Sequence, residues 1–337
     1  QGDAARPRRE TVTGAGLPAQ PRQGSAPTTA GGVRLGTWLR LGWFGLTTVL
    51  LRRRDPIIGS LIVTDRCNLA CRHCAVANIR KIDYSFGRLR ADLRSLYAQG
   101  VRIVLLYGGE PMLWHDGDRT LADLIAEART IGFPLVGVVT NGTRGLDLPS
   151  ADLVLVSVDG TRAHHDAIRG ANYDRVLANI AAAPARNLCL YMAVNQVNVA
   201  DVEHVAGLAA SLPTVRGVSY NLHTPYPGTE DLTLRPDQRR DVCDRIAQLI
   251  RQGYPVLNLA SALPYLADQS GPGPCPQCVI VEDGQQWTCG RCIEIPGLCE
   301  QCGFSFATEL SLLFRGHPRV VAEVLRRYPS FLKSTSG

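Results

Sequence analysis

From Pro56 to about residue 260, short apolar runs alternate with amphipathic stretches, and this alternation restricts the fold more than any other feature of the chain. Strand-like runs fall at 57–64, 101–107, 134–140, 152–158, 188–194 and 215–222. Helix-like stretches lie between or after them at 85–99, 120–131, 173–183, 201–211 and 236–252, the last with Pro236 near its start, where a missing N–H costs little. The third connection, 141–151, is too short for a full helix. Strand-helix alternation of this kind builds a parallel sheet, and six units imply a curved or partly closed barrel. In such barrels the chemistry sits at the C-terminal ends of the strands.

Those ends carry unusual residues. The first run leads into Thr64-Asp65-Arg66-Cys67-Asn68-Leu69-Ala70-Cys71-Arg72-His73-Cys74, a Cys-x3-Cys-x2-Cys loop. A thiolate-held [4Fe–4S] cubane normally takes four cysteines, so three leave one iron open to bind something else. A structural zinc site or a group of small buried thiols is the alternative, but zinc wants four ligands and His73 is awkwardly placed as the fourth. The second run ends in Tyr107-Gly108-Gly109-Glu110-Pro111, whose paired glycines allow close backbone approach to a ligand. The third ends in Thr140-Asn141-Gly142. The fourth ends in Ser157-Val158-Asp159-Gly160, followed by His164-His165-Asp166 and Arg169-Gly170.

The cysteine loop after the first strand, with Gly-Gly-Glu-Pro after the second, resembles the radical S-adenosylmethionine (SAM) superfamily. The segment from Ser157 to Gly170 is similar to its peptide- and natural-product-modifying branches and to relatives acting on lipids. The resemblance covers roughly residues 57–260 and implies an α/β fold with a partial (β/α)6 barrel. It implies that Cys67, Cys71 and Cys74 hold a [4Fe–4S] cluster whose open iron is chelated by SAM. It places Gly108, Gly109 and Glu110 along the methionine amino group, Ser157, Asp159 and Arg169 near the ribose or carboxylate, and Thr140 and Asn141 toward the adenosine. A reducing partner of flavodoxin or ferredoxin type is implied as well. The residue before the third cysteine is often aromatic in the family; here it is His73, whose imidazole could stack on adenine. Ala75 replaces a second aromatic.

The 337 residues hold eleven cysteines. No secretory signal opens the sequence, so clustered Cys-x2-Cys pairs read as metal ligands in a reducing cytoplasm. Three such pairs, Cys275/Cys278, Cys289/Cys292 and Cys299/Cys302, form a distinct module over 261–337, with a helix over about 318–327. Asp283-Gly284 between apolar runs signals a hairpin. Two Cys-x2-Cys knuckles on a hairpin fit a short zinc ribbon. Many radical SAM enzymes instead carry auxiliary [4Fe–4S] clusters in a C-terminal extension, in a SPASM or twitch spacing that this chain does not match cleanly. Both readings of the second metal stay open. Cys189, in a strand, and Cys243, in a helix, read as core.

The net charge of +6 is unevenly spread. Nine arginines against Asp3 and Glu10 give residues 1–54 a balance of +7, leaving about −1 for the rest. A barrel without basic excess argues against nucleic acid as partner. Residues 1–34 have a disordered composition. The 35–51 stretch, with Trp38, Trp43 and Phe44 before Arg52, Arg53 and Arg54, suits an amphipathic helix lying on the inner face of a membrane; packing on the domain itself and a marginal span are the alternatives. For substrate contact, the loop after the sixth strand offers His223, Tyr226 and Glu230, and Trp114, His115 and Asp116 are weaker candidates. The expected substrate is a lipid or other hydrophobic natural product; a peptide- or protein-maturing enzyme with an auxiliary cluster and a non-catalytic metal-binding adaptor are the alternatives.

Overall fold

The computed structural model describes residues 55–74, 78–184 and 187–333, with the backbone alone for 328–333, and isolated positions Trp43, Thr47 and Leu51. The 1–34 tail lies outside the described residues. So does the 35–54 helix, apart from those three positions; Trp43 and Thr47 are helical, and Trp43 and Leu51 are each 68% exposed. Among the described residues no helix is long and apolar enough to cross a membrane.

Six strands run parallel: β1 (Ile58–Thr64), β2 (Ile103–Gly108), β5 (Leu135–Thr140), β6 (Leu153–Ser157), β7 (Leu188–Val194) and β8 (Val215–Leu222). The two-residue strands β3 (His115–Asp116) and β4 (Arg119–Thr120) form a separate hairpin. The six are the six apolar runs of the sequence, and they read as near-continuous Val, Ile and Leu because helices cover the outer face. Between or after them lie α1 (Phe86–Ala98), α2 (Leu121–Ile131), α3 (Arg162–Arg169), α4 (Tyr173–Ala182), α5 (Val202–Ser211) and α6 (Pro236–Arg251). Ser85 caps α1 by accepting the Arg88 N–H, and Thr120 with Asp123 forms a capping box at α2. The 141–152 connection carries no helix, as its length implies.

Leu61, Val104, Val136, Val154, Leu190 and Val218 are buried between sheet and helices, where Leu89, Leu93, Leu124 and Val205 meet them. Cys189 and Cys243 are buried in the same core. Trp114 also belongs there, 2% exposed, with its indole N–H donated to the Tyr84 carbonyl at 2.8 Å. This corrects its reading as a substrate contact: the apolar ring is spent on packing. His115 and Asp116 are exposed, and Asp116 accepts the Phe86 N–H at 2.7 Å.

The cysteine-rich segment begins after α7 (Leu263–Ala267) with a hairpin, β9 (Cys278–Glu282) and β10 (Gln285–Thr288), turning at Asp283 and Gly284 with φ of 50° and 76°. Strand β9 pairs in parallel with β1, from Ile58↔Cys278 to Leu61↔Val281, giving the sheet order β10-β9-β1-β2-β5-β6-β7-β8. The sheet thus runs unbroken across the division expected at residue 261. Farther on, the Leu222 N–H donates to the Gly303 carbonyl at 2.8 Å, and the Ser305 N–H to Asn221 Oδ1 at 2.9 Å. A Cβ at position 303 would stand 1.9 Å from the Leu222 carbonyl oxygen, so only glycine fits this approach. Residues 278–305 therefore form a strap from one edge of the open barrel, β1, to the other, β8. Helices α8 (Ser305–Phe314) and α9 (Pro318–Lys333) follow, with Leu312 and Val320 packed on Leu259 and Ala262.

Candidate functional site

The loop after β1 is held in shape by its own polar residues. The Asp65 carboxylate accepts the N–H groups of Ile82, at 2.5 Å, and Arg80. Asn78, at φ 60°, accepts the Cys67 N–H at 2.9 Å and donates to the Leu69 carbonyl at 3.1 Å. Cys67 and Cys71 are half-buried and Cys74 is exposed. Arg72 fastens the loop outward, its N–H donating to the Ile168 carbonyl at 3.0 Å and its guanidinium meeting Asp231 at 2.7 Å.

Backbone at the end of β2 presses against this loop. The Gly109 N–H donates to the Thr64 carbonyl and the Glu110 N–H to that of Arg66, both at 2.8 Å. A Cβ on Gly109 would lie 2.1 Å from the Arg66 oxygen. The close approach for which the sequence provides glycine is thus made to the cysteine loop itself. Gly108 and Gly109 are half-exposed, whereas the Glu110 side chain is fully buried toward the end of β5. Its Oε1 accepts the Thr140 hydroxyl at 2.7 Å and the Met112 N–H at 3.0 Å; its Oε2 accepts the Asn141 N–H at 2.7 Å. Burial pushes the Glu110 pKa up against these donors. Asn141, so fixed, directs Nδ2 to Asn68 Oδ1 at 3.0 Å and toward the Cys67 sulfur at 3.7 Å.

On the opposite side, Asp159 and Arg169 are buried together. Arg169 Nε donates to Asp159 Oδ2 at 2.6 Å, and Oδ1 accepts the Ala193 N–H at 2.9 Å. Burial pushes the Asp159 pKa up, but Arg169 and that N–H hold it below the ordinary carboxylate value. The other Arg169 nitrogens stand 3.9 Å from the Cys71 sulfur and 3.3 Å from His73 Nε2. A guanidinium only donates, so His73 Nε2 accepts and the ring proton sits on Nδ1. That Nδ1 is buried without a partner. Burial lowers the His73 pKa to about 4, keeping the ring neutral. Ser157, at the end of β6, is buried beside this group.

His165 carries no separate signal in the sequence. Its Nδ1 accepts the Asp159 N–H at 3.1 Å, which leaves Nε2–H to donate to Asn172 Oδ1 at 3.0 Å. It thereby fixes the turn that aims Asp159. His164 instead pairs with Asp201 at 2.7 Å.

The loop after β8 divides. His223 is buried, with Nε2 3.0 Å from the carbonyl and hydroxyl oxygens of Thr229, and burial lowers its pKa. Tyr226 is half-buried beside Cys292 and Cys302; burial and its hydrogen bond with Cys292 push the phenol pKa up. Glu230 is exposed and accepts the Gly228 N–H of its own turn. Two tyrosines not singled out in the sequence, Tyr107 on β2 and Tyr191 on β7, stand near Cys292 and Cys302 respectively. Tyr191 also stacks on Phe306, with centroids 6.4 Å apart. Unbroken apolar strands hide which alternate residues face inward, so sequence offered no signal for these rings.

Cys275, Cys278 and Cys289 come together at the open ends of the β9–β10 hairpin: Cys278 N–H to the Cys275 carbonyl at 3.1 Å, and Cys289 N–H to the Cys278 carbonyl at 2.7 Å. The hydrogen bond between the Cys275 and Cys278 thiols lowers the pKa of the first and raises that of the second. Cys292, Cys299 and Cys302 form a second, adjoining set, and the Cys302 carbonyl accepts from Arg239 at 3.2 Å. Burial pushes the Cys289 thiol to about 12 and the Cys302 thiol to about 11.

A [4Fe–4S] cluster and SAM fit the residues of the first loop. Burial raises the Cys71 thiol to about 11, so its thiolate needs positive charge beyond Arg169, which ligated iron supplies. The partnerless His73 Nδ1–H is a donor that an acceptor atom on a bound ligand would satisfy.

Comparison with known proteins agrees. The profile of the Radical SAM superfamily matches residues 61–209. A GTP 3′,8-cyclase of Geobacter sulfurreducens is 31% identical over 211 residues, covering 56% of this chain and 61% of that protein. The mycofactocin maturase MftC of Mycobacterium ulcerans is 29% identical over 163 residues, 46% of this chain and 44% of that one. The chain therefore spans about three-fifths of the cyclase and less than half of the maturase. Among solved structures, Streptococcus suis SuiB bound to its precursor peptide SuiA superposes with a TM-score of 0.57 at 13% identity, over 84% of this chain and 72% of SuiB. Because the profile match falls on the strands and turns that carry Cys67, Gly109, Asn141 and Asp159, residues 61–209 form a radical SAM domain.

Proposed function

We propose that this protein reductively cleaves SAM at the Cys67–Cys71–Cys74 loop and abstracts a hydrogen atom from a peptide substrate. The observation that carries the chemistry is the convergence on that loop of Gly109 from the end of β2, Asn141 from the end of β5 and Arg169 from α3, the last two directed toward the Cys67 and Cys71 sulfurs. When bound, the cluster and SAM supply a 5′-deoxyadenosyl radical. The chain's residues do the placing. Arg169, fixed by Asp159, offers its planar fork to a carboxylate, and His73 offers Nδ1–H to an acceptor. The half-exposed glycines Gly108 and Gly109 present backbone to the methionine end. Half-buried Tyr107, Tyr191 and Tyr226 give the substrate an aromatic wall with hydroxyl handles.

A peptide is supported by the likeness to SuiB, which covers 84% of this chain, and by the maturase relative. The strap cysteines would hold an auxiliary [4Fe–4S] cluster or zinc. The lipid reading retains one observation, the exposed Trp43 and Leu51, and flotation with anionic vesicles separates it: binding lost on removing residues 1–54 would favour it. The decisive assay is anaerobic reconstitution with iron and sulfide, reduction with dithionite, and detection of 5′-deoxyadenosine from SAM. Absence of that product in fully loaded protein would leave the adaptor reading standing.

A further inference from the structure

Glu282, the last residue of β9, is buried at 5% exposure although it belongs to the cysteine strap's hairpin. Three groups converge on it, two from the distant segment 80–84 and one from the strap itself. Arg80 reaches Oε1 at 3.0 Å and the Tyr84 hydroxyl reaches the same oxygen at 2.7 Å. Arg291, between Cys289 and Cys292, reaches Oε2 at 2.5 Å. Arg80 and Tyr84 also touch each other, hydroxyl to guanidinium. The two arginines thus meet the carboxylate on separate oxygens, one from each metal-binding segment.

The Arg80 side has a short path to the cofactor loop. The Arg80 N–H is bound by Asp65, and two residues earlier Asn78 holds the Cys67 N–H and the Leu69 carbonyl. Position 80 is thus fixed at both its backbone and its guanidinium, the first by the cysteine loop and the second by the strap. Arg291 in turn has its place set by the cysteines on either side of it.

We propose that Glu282 is a positioning residue for cofactor binding, coupling order in the cysteine strap to the conformation of the Cys67–Cys74 loop. The inference rests on the radical SAM reading for its ligand, SAM, but its structural arm does not. Loosening the Arg291 turn frees one carboxylate oxygen, weakens the hold on Arg80, and lets residues 78–84 drift from the loop they brace. Coupling carried through such a contact is worth a change in affinity of about tenfold.

The test uses the full chain with its metal sites reconstituted. Glu282→Gln, Arg80→Gln, Arg291→Gln and the double arginine variant are titrated with SAM, following the change SAM causes in the reduced cluster's electron paramagnetic resonance signal. Amide exchange of residues 78–84 is measured in parallel. Each single variant is expected to raise the SAM midpoint about tenfold. The double variant should be no worse than either single one, because both arginines act through one carboxylate. Arg291→Gln should also speed exchange at 78–84, a segment with which Arg291 shares no hydrogen bond. Unchanged exchange and midpoint in Arg291→Gln, or additive arginine effects, would overturn the proposal. Should Glu282→Gln fail to fold, the two arginine variants still decide. An unmodified protein whose signal ignores SAM would count against the radical SAM reading instead, while the exchange result would still judge the coupling.

Discussion

Arg169 donates to Asp159 at 2.6 Å while another of its nitrogens stands 3.9 Å from the Cys71 sulfur, so one buried cation serves both a carboxylate and a cluster-loop thiol. Replacing it by methionine leaves Asp159 buried and uncompensated, which costs about 3–5 kcal/mol. Denaturant unfolding of metal-free protein should show that loss in Arg169→Met and recover most of it in the Arg169→Met/Asp159→Asn double variant. SAM binding should be lost in both.

Glu110 acts through its neighbours. A glutamine there puts an amide N–H against donors that need an acceptor, at about 1–3 kcal/mol. Glu110→Gln should therefore lower thermal stability and loosen Asn141 at Cys67. Iron bound to the first loop, counted after gentle desalting, is expected to drop relative to the unmodified protein.

Glu309, on α8, accepts the Leu259 N–H at 3.1 Å and Asn258 Nδ2 at 3.3 Å. Burial, with Glu323 adding to it, raises its pKa from 4.5 to about 7. The unfolded carboxyl ionises first, so between these values the folded state binds more protons. The contribution is full below about pH 4.5 and is lost as pH rises to about 7, a fall of about 3 kcal/mol. Stability measured across that window should decline with rising pH. Glu309→Gln should flatten the decline, and an unchanged slope would contradict it.

The two proposed metal sites should be separable by counting. Alanine at Cys67, Cys71 and Cys74 together should remove about four irons per chain. Iron remaining in that variant marks an auxiliary cluster on the strap, and zinc in its place marks a ribbon.

His73→Phe keeps a ring at the same position but removes the partnerless Nδ1–H. A lost hydrogen bond to ligand is worth about tenfold in affinity. The variant should bind SAM about tenfold more weakly while retaining its iron.

The six barrel strands and the turn residues at their ends were legible because buried parallel strands are apolar runs and ligand-facing turns need Gly, Asn and Asp. Helix α3 was not: its eight residues, Arg162–Arg169, include two histidines, an aspartate and two arginines, with Ile168 the one large apolar side chain among them. That concealed the element that delivers Arg169. Helix α8 was missed for the converse reason, since Ser305–Phe314 is apolar on most sides. The pairing of β9 with β1 joins positions more than two hundred residues apart, and nothing in the Val-Ile-Val run of β9 names its partner. His73 and His165 acquired their roles only from tertiary contacts.

The strap has a consequence for the order in which the protein can be made. A nascent chain that has emerged only as far as α6 already holds six parallel strands, yet both β1 and β8 then lie open as unpaired edges. Open edges recruit foreign strands. Residues 255–258 then cover part of the β8 edge, but β1 stays open until residues 278–282 arrive, and in that interval the molecule is most exposed to misassembly. Metal capture by the strap cysteines would then seal the barrel only after its six parallel strands are in place.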